Sequence, residues 1–163
     1  MSSEVEDVNV GYVREYRAGD EVALAPRLRD ADIRDIRTRT EIPIVDVLRG
    51  SGEISSPSCS IIGNTEEVEG MFGIVDEGNG FGRVWLLGSD ALVRKPLVTQ
   101  FLREVPRYLE LLERPYQITG NIIDSRNLVH IRWLKFNGYT FIADHVDAGL
   151  HGERLLEFVK IKE

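Results

Sequence analysis

The sequence predicts an α/β protein, and three observations support that class. Short apolar runs with strand-like spacing alternate with segments whose apolar residues recur every three to four positions, as in helices. The segment from Asn127 to Phe141 combines a short helix, a helix stop at Gly138 and an apolar strand, as at the close of an α/β domain. With 163 residues, of which 42% are hydrophobic and 29% charged, the chain can bury a core without disulfides.

The first third of the chain contains two strand-like and two helix-like segments. Strands are predicted at Val10–Arg17 and Val22–Leu28, as a hairpin around a glycine-containing turn. One helix is predicted to begin at Asp30, which can cap it, and to continue through Ile33 and Ile36. A second is predicted to begin near Pro43, a residue that suits a first helical turn, and to end at Gly50.

The middle of the chain predicts three strands and one long helix. The strands are Cys59–Gly63, Val68–Val75 and Arg83–Leu87. A glycine-rich turn at 76–80 predicts a hairpin between the second and the third of them. The helix follows Ser89 and Asp90 and extends to Leu112 along an apolar stripe, and Pro106 inside the stripe should bend or divide it.

The last third predicts a strand, a helix and a closing pair of antiparallel strands. The strand covers Tyr116–Ile123, and the helix runs from Asn127 to its stop at Gly138. The closing strands cover Tyr139–Asp144 and Arg154–Lys162, and the second alternates apolar and charged residues. No internal repeat is present, so we expect a flexible acidic tail at residues 1–8 and a single domain at residues 9–163.

Charge and cysteine content limit the classes of partner. With 27 acidic and 20 basic residues the chain has a net charge of −7, which disfavours DNA and anionic membrane surfaces. Cys59 is the only cysteine, so no internal disulfide can form and a reducing compartment is expected. No apolar run has the length of a signal peptide or a membrane span. We therefore expect a soluble protein that stays in a cytoplasm or is packaged from one.

The helix after Asp124 resembles the last helix of the GNAT acyltransferase fold. In that family an Asn opens the helix, a Gly followed by Phe or Tyr closes it, and a Tyr often lies four residues before the Gly. Asn127, Gly138 and Tyr139 match this pattern, and Leu134 stands at the Tyr position. The resemblance implies a mixed central β-sheet flanked by helices on both faces.

A second resemblance is to the internal virion protein A family of short-tailed bacteriophages, whose members are themselves GNAT-like. The segments Val84–Asp90 and His130–Lys135, with Asn127 and Gly138, carry it, and it covers roughly residues 68 to 163. It implies a protein of the virion interior or the infected bacterial cytoplasm. Such a protein would bind other phage virion or core proteins during particle assembly or ejection.

The segment after the predicted strand Arg83–Leu87, which corresponds to the fourth strand of the GNAT fold, departs from the GNAT pattern. In that family, backbone N–H groups of a glycine-rich loop hold the pyrophosphate of coenzyme A. Here the segment Leu87–Pro96 lacks the Gly-x-Gly or Gly-x-Ala spacing, and the charge of Asp90 would oppose phosphates. Leu134 also removes the usual acid for the leaving thiolate. These departures predict a degenerate site, no cofactor and no acyltransferase activity.

The alternative is an acetyl-CoA-dependent N-acyltransferase, for which the resemblance implies specific residues. Glu69, through a water, or His130 would be catalytic, although a solvated acidic turn and a structural histidine are the competing interpretations. The backbone of 85–87 would hold the pantetheine arm, and residues near 88–94 the phosphates. The cofactor-binding candidates are Trp85, Leu86, Leu87, Gly88, Ser89, Arg94 and Asn127. Such an enzyme needs an open V between its fourth and fifth strands.

The remaining candidates concern partners and metals. Arg132, Trp133 and Lys135 form a basic and aromatic patch that suits a protein partner. The sequence equally allows Trp133 to pack under a loop while the two cations face water. A third hypothesis, suggested by small size and acidic charge, is a protein that blocks a host bacterial enzyme. No metal site is predicted, because the three histidines and one cysteine lack ligand spacing.

Overall fold

A seven-stranded sheet forms the centre of the protein. The computed structural model describes residues 11–163, so the predicted tail at residues 1–8 lies outside the described residues. The strands are β1 (Tyr12–Glu15), β2 (Ser58–Ile62), β3 (Val68–Gly78), β4 (Phe81–Gly88), β5 (Ile118–Asp124), β6 (Thr140–His145) and β7 (Leu155–Ile161). Their order across the sheet is β1-β2-β3-β4-β5-β7-β6.

In the described part of the chain, five α-helices and two short 3₁₀ turns accompany the sheet. The helices are α1 (Asp20–Leu24), α2 (Asp30–Arg37), α3 (Ile44–Ile54), α4 (Leu97–Glu113) and α5 (Leu128–Phe136). The 3₁₀ turns are Ala25–Arg27 and Asp90–Val93. Within residues 11–163, no helix has both the length and the apolar character needed to cross a bilayer.

The sheet is mixed because one pair of neighbouring strands is parallel. β4 and β5 run in the same direction, and every other neighbouring pair is antiparallel. A parallel pair needs a crossover connection, and α4 provides it. The β3–β4 hairpin turns through Gly78 and Gly80, both with positive φ, as the glycine-rich turn predicted.

Helices cover both faces of the sheet, and the alternation of each strand divides the core in two. Along β4, Val84 and Leu86 pack with α4 and α5, whereas Trp85 packs with α1, α2 and α3. We call these the α4/α5 face and the α2/α3 face. The fold class predicted from the sequence, an α/β sheet with helices on both faces, is confirmed.

The segment predicted as a second strand, Val22–Leu28, is helical instead. Asp20 and Glu21 begin α1 and are buried, although acidic residues usually face water. Asp20 accepts hydrogen bonds from Arg14 and Ser60, and Glu21 accepts one from Tyr16. These buried contacts fix the start of a helix, and alternation within 22–28 could not reveal them.

The predicted long helix is interrupted at its start but not at its internal proline. The Asp90–Val93 turn is followed by Lys95-Pro96, and α4 begins at Leu97. Pro106 lies inside α4, which continues to Glu113 without division. The helix opened by Pro43 is longer than predicted, because α3 passes Gly50 and ends at Ile54.

Candidate active site

The sheet opens where β4 and β5 separate. Their pairing runs from Phe81 and Ile118 to Arg83 and Gly120, while β4 continues to Gly88 and β5 to Asp124. A cavity of about 400 Å³ lies in the opening. This is the V between the fourth and fifth strands that the sequence argument required of an enzyme.

The cavity passes through the sheet from one face to the other. Its walls include helical residues of both faces and the separated parts of both strands. The lining residues used below are Asp35, Arg39, Thr40, Val47, Ser51, Trp85, Leu86, Asn121, Ile122, His130, Trp133, Leu134 and Phe158. Most of the wall is apolar, as in ligand sites generally.

The edge of β4 presents backbone groups to this opening. The Val84 carbonyl accepts a hydrogen bond from Asn121 Nδ2 at 2.9 Å, so Val84 faces β5. The N–H and C=O of Gly88 bond to α2 and to the residue before it, which places Gly88 on the same edge. Since strand residues alternate, the N–H and C=O of Leu86 also face the opening.

Helix α2 spans the wide end of the V through a strand-bridging cluster, which comprises Arg29, Asp32, Asp35, Arg39 and Asn127. On the β4 side, Asp32 Oδ2 accepts the Gly88 N–H at 3.0 Å. On the β5 side, Asp35 Oδ1 accepts the Asp124 N–H at 3.2 Å. Arg39 donates to the Ile122 carbonyl at 2.8 Å. The cluster therefore ties together two strands that no longer pair directly.

Members of the strand-bridging cluster satisfy one another. Asn127 donates to Asp32 Oδ1 at 3.1 Å and accepts from Arg29 at 3.3 Å. Arg39 donates to Asp35 Oδ1 at 2.6 Å. Burial raises the pKa of both aspartic acids, and the neighbouring arginines oppose that effect. Asn127, predicted to bind a cofactor, is 1% exposed and is bonded inside the protein.

Two buried nitrogen atoms beside the cavity lack a hydrogen-bond partner among the described residues. They are His130 Nδ1 and Trp133 Nε1. Trp133 stacks on Phe101 with ring centroids 5.5 Å apart, and His130 lies against Trp133 at 5.7 Å. Buried polar groups are almost always bonded, so these two atoms indicate room for a polar ligand group.

The environment of His130 keeps its imidazole neutral. Burial lowers the pKa of His130 to about 4, although the carboxylate of Asp35 acts in the opposite direction. At neutral pH the ring therefore has one nitrogen with a free lone pair. His130 lies in the wall of the cavity, as an enzymatic role would require.

Glu69, the other predicted base, lies away from the cavity. Its carboxylate accepts hydrogen bonds from Arg27 at 2.6 Å and from the Ser89 hydroxyl at 2.5 Å. It is 4% exposed and is not among the described residues that line the opening. The position of Glu69 contradicts its prediction as a base and equally the interpretation as a solvated turn.

The predicted phosphate-binding residues have mixed positions. The Ser89 N–H bonds to the Glu69 carbonyl at 2.9 Å, and its hydroxyl is also bonded to Glu69. Arg94 is exposed and lies 3.7 Å from Asp90. Trp85, Leu86 and Leu87, predicted to hold a pantetheine arm, do line the cavity.

The predicted partner patch loses its aromatic member. Trp133 is buried against Phe101, because α5 turns this residue toward the sheet. Arg132 and Lys135 are exposed, and a partner contact through them stays a prediction. The interpretation in which Trp133 packs inside the domain describes its position better.

The strand-bridging cluster is what sequence reasoning missed. Its charged residues belong to a run in which acidic and basic residues alternate, as on helices that face water, yet Asp32 is 1% exposed. The spacing could have shown it, because Arg29, Asp32 and Asp35 recur every third residue beside Ile36, on one helical face. No spacing pattern in the sequence indicated that Asn121 lines the cavity.

Several solved structures that share the fold are acetyltransferases by name. The yncA protein of Salmonella typhimurium, assigned as an acetyltransferase and solved with acetyl-CoA, matches with a TM-score of 0.74 over 95% of both chains at 16% identity. A ribosomal-protein-alanine N-acetyltransferase from Brucella melitensis matches at 0.69 over 93% of this chain and 99% of its own, at 16% identity. A spermidine N-acetyltransferase from Vibrio cholerae, solved with CoA and spermine, matches at 0.68 over 93% and 95%, at 6% identity.

These likenesses correct two predictions. No family model and no curated protein matches the sequence. The phage virion role is wrong, because the structural neighbours described above and others are acetyltransferases. The expectation of no cofactor is wrong as well, since neighbours are solved with acetyl-CoA or CoA. The chain has the GNAT fold.

Proposed function

We propose that the protein is an N-acyltransferase that binds an acyl-CoA-type thioester between β4 and β5. The observation that carries this proposal is the cavity of about 400 Å³ where the two strands separate. Structural neighbours with bound acetyl-CoA or CoA support it. The amine nitrogen would form a bond to the acyl carbon of the thioester and the C–S bond would break. The thiolate would leave as the free thiol after taking up a proton, which balances the proton lost by the amine.

The donor's pantetheine arm fits the residues around the opening. The arm is a chain of amides and methylenes, and it needs both apolar walls and hydrogen-bonding groups. The Leu86 backbone would bond its amides as a neighbouring strand would. The unpartnered Trp133 N–H is a further donor for an amide or thioester carbonyl. Leu134 and Phe158 in the wall limit access of water to the thioester.

His130 is the group we assign to accept the proton of the attacking amine. It is neutral at neutral pH, and its protonated form would lie near the Asp35 carboxylate. Asp35 itself is a weaker candidate, because its oxygens already accept bonds from Arg39, Asn127 and the Asp124 N–H. General base catalysis of this kind typically contributes about 10²–10⁴-fold.

The amine would approach from the α2/α3 face. Val47, Ser51 and Thr40 line the cavity there, with Arg39 at its rim. His130 of α5 lines the same cavity, so the amine nitrogen would enter the gap until it lies within hydrogen-bond distance of the His130 ring. This arrangement brings amine and thioester together inside the sheet.

Calorimetric titration with acetyl-CoA and CoA tests the proposal. Ile122→Phe narrows the cavity, and we expect it to weaken acetyl-CoA binding by about tenfold or more. Ile142→Phe makes the same change at an exposed site on β6 and should leave binding unchanged. If millimolar acetyl-CoA and CoA give no binding heat with the unaltered protein, the proposed function fails.

A further inference from the structure

Two arginines lie in the part of the cavity wall that the amine would pass. Among the described residues, the cavity is lined by three with a charged side chain, which are Asp35, Arg39 and Arg83. Arg39 follows α2 and donates to the Ile122 carbonyl on β5. Arg83 lies two residues before Trp85 on β4, so strand alternation puts its side chain on the α2/α3 face as well.

The carboxylate of Asp35 is already bonded within the protein. Its Oδ1 accepts hydrogen bonds from Arg39 at 2.6 Å and from the Asp124 N–H at 3.2 Å. Its Oδ2 accepts one from Asn127 at 3.4 Å, and the residue is 4% exposed. The described wall of the cavity therefore offers no free carboxylate that could pair with a second ammonium group of an acceptor.

Both arginines keep N–H groups that no described residue accepts. A guanidinium has five N–H donors. Arg39 uses one terminal nitrogen for Ile122 and the other for Asp35, and its Nε is not used. Arg83 uses Nε alone, for Glu77, so both of its terminal nitrogens lack a partner within residues 11–163. The two arginine side chains are 34% and 37% exposed, so a solute can reach them.

This combination of groups suits an anion. The hydroxyls of Thr40 and Ser51 line the same cavity and can donate hydrogen bonds. The paired terminal nitrogens of an arginine match the two oxygens of a carboxylate, and such charge-assisted bonds are about twice as strong as neutral ones. Glu77 offsets part of the Arg83 charge, but it leaves the terminal nitrogens of Arg83 open. The wall therefore favours an anionic group over a second cation.

We infer that the acceptor is an amine that carries a carboxylate, and that the terminal nitrogens of Arg83 bind this carboxylate. This inference rests on the proposed function and narrows its class of acceptor. The amine nitrogen would gain the acyl group and the carboxylate would stay unchanged, so the product is an N-acyl amino acid. Amines with a second ammonium group are poor acceptors, because they would meet two arginines and no free carboxylate.

Matched acceptors test the inference. The compounds δ-aminovalerate, pentylamine and cadaverine share a chain of five carbons and carry a carboxylate, no further charge and a second ammonium group, respectively. L-Leucine and isoamylamine form a second pair with a branched apolar chain. With acetyl-CoA as donor, we expect kcat/KM, expressed per unprotonated amine, to be about tenfold higher for each carboxylate than for its uncharged partner, and lowest for cadaverine.

The failure of this inference can be distinguished from that of the proposed function. If acetyl-CoA binds in calorimetry but an amine without a carboxylate is acetylated as efficiently as its partner, or neither carboxylate is acetylated, the inference is overturned and the donor site stands. If neither acetyl-CoA nor CoA binds, the proposed function itself is rejected.

Replacement of Arg83 gives a second test. Arg83→Gln should lower the ratio of kcat/KM for δ-aminovalerate to that for pentylamine by about tenfold, and a ratio is independent of the fraction of folded enzyme. Arg103→Gln removes the same charge from an exposed site on α4 and should leave the ratio unchanged. Arg39 is less suitable because it also holds Asp35 and β5. An unchanged ratio in Arg83→Gln refutes the inference.

Discussion

At the scale of single residues, the two tryptophans of the cavity wall differ in one contact. Trp85 Nε1 donates to the Ser55 hydroxyl at 2.8 Å, whereas Trp133 Nε1 has no partner among the described residues. Leaving a buried donor unpaired costs about 1–3 kcal/mol. A protein tolerates that cost most readily where a ligand supplies the missing acceptor.

We expect Trp133→Phe to weaken acetyl-CoA binding by about tenfold without lowering the free energy of unfolding by more than about 1 kcal/mol. Phenylalanine keeps the stack on Phe101 and removes only the unpaired donor and part of the ring. Trp85→Phe breaks an existing hydrogen bond and should be the more destabilising change. Urea denaturation and calorimetry measure both quantities. Unchanged binding by Trp133→Phe would remove this residue from the site.

The lowered pKa of His130, a partly exposed residue, predicts a pH dependence of stability. The pKa of His130 is about 4 in the folded protein against a usual 6.5, so between these values the unfolded chain binds more protons. Stability conferred by neutral His130 is thus present above pH 6.5 and is lost as the pH falls toward 4, by about 2 kcal/mol after allowing for partial solvent exposure.

Comparison of the wild type with His130→Gln isolates this effect. Denaturation midpoints between pH 4 and 7 should fall less steeply in the variant, and His145→Gln, at an exposed position, should behave as the wild type does. The prediction is wrong if His130→Gln and wild type lose stability in parallel.

The position of a single residue could be predicted from the sequence only where the order of strands and helices along the chain determines it. The stretch 85–87, which the GNAT resemblance implied would hold a pantetheine arm, lines the cavity, and arm binding by it stays a prediction. Glu69 was misplaced because nothing local shows that Arg27 and Ser89 bond its carboxylate. Hydrogen bonds between residues about 20 to 40 positions apart leave no periodic trace in a sequence.

At the scale of elements, α2 determines the shape of the opening. It carries Asp32 to the end of β4 and Asp35 to the end of β5. The helix predicted from Asp30 through Ile33 and Ile36 is present, and the recurrence of the two isoleucines is the local signal for it. The predicted cap is not, because Asp30 is the first helical residue and no side chain caps the helix. The contacts of its acidic face with β4 and β5 could not be predicted, because the same alternation of charges also occurs on helices that face water.

We expect Asp35→Ala to lower the free energy of unfolding by about 2–4 kcal/mol, because it leaves the buried Asp124 N–H unpaired and frees Arg39. Asp30→Ala, at an exposed position of the same helix, should cost less than about 1 kcal/mol. Urea denaturation gives both values. Faster amide exchange at Asp124 should accompany the first change, and equal costs for the two variants would refute the bridging role.

At the scale of the whole molecule, net charge sets the response of ligand binding to salt. The chain has a net charge of −7, and acetyl-CoA is itself an anion. Two bodies of like net charge repel each other at long range, and salt screens this repulsion. The α/β class could be predicted because the hydrophobic periods of strands and helices are visible in the sequence. The distribution of charge around a ligand could not, because it depends on how the chain folds.

Raising the salt concentration from about 0.05 to 0.3 M should tighten acetyl-CoA binding by about twofold and leave acetyl-pantetheine unchanged. Calorimetry at the two ionic strengths measures it. A weaker complex with acetyl-CoA at high salt would show that attraction to phosphates dominates, and the prediction would fail.

The short parallel ladder also has a mechanical consequence. Only three residue pairs join β4 to β5. The sheet therefore consists of two parts, β1 to β4 and β5 to β7, whose strands pair with each other only along residues 81–83 and 118–120. Helix α2 connects the two parts at the opposite end of β4 and β5. A ligand that forms hydrogen bonds with the facing edges of both parts would act as an eighth strand, and the two parts would then unfold as one cooperative unit.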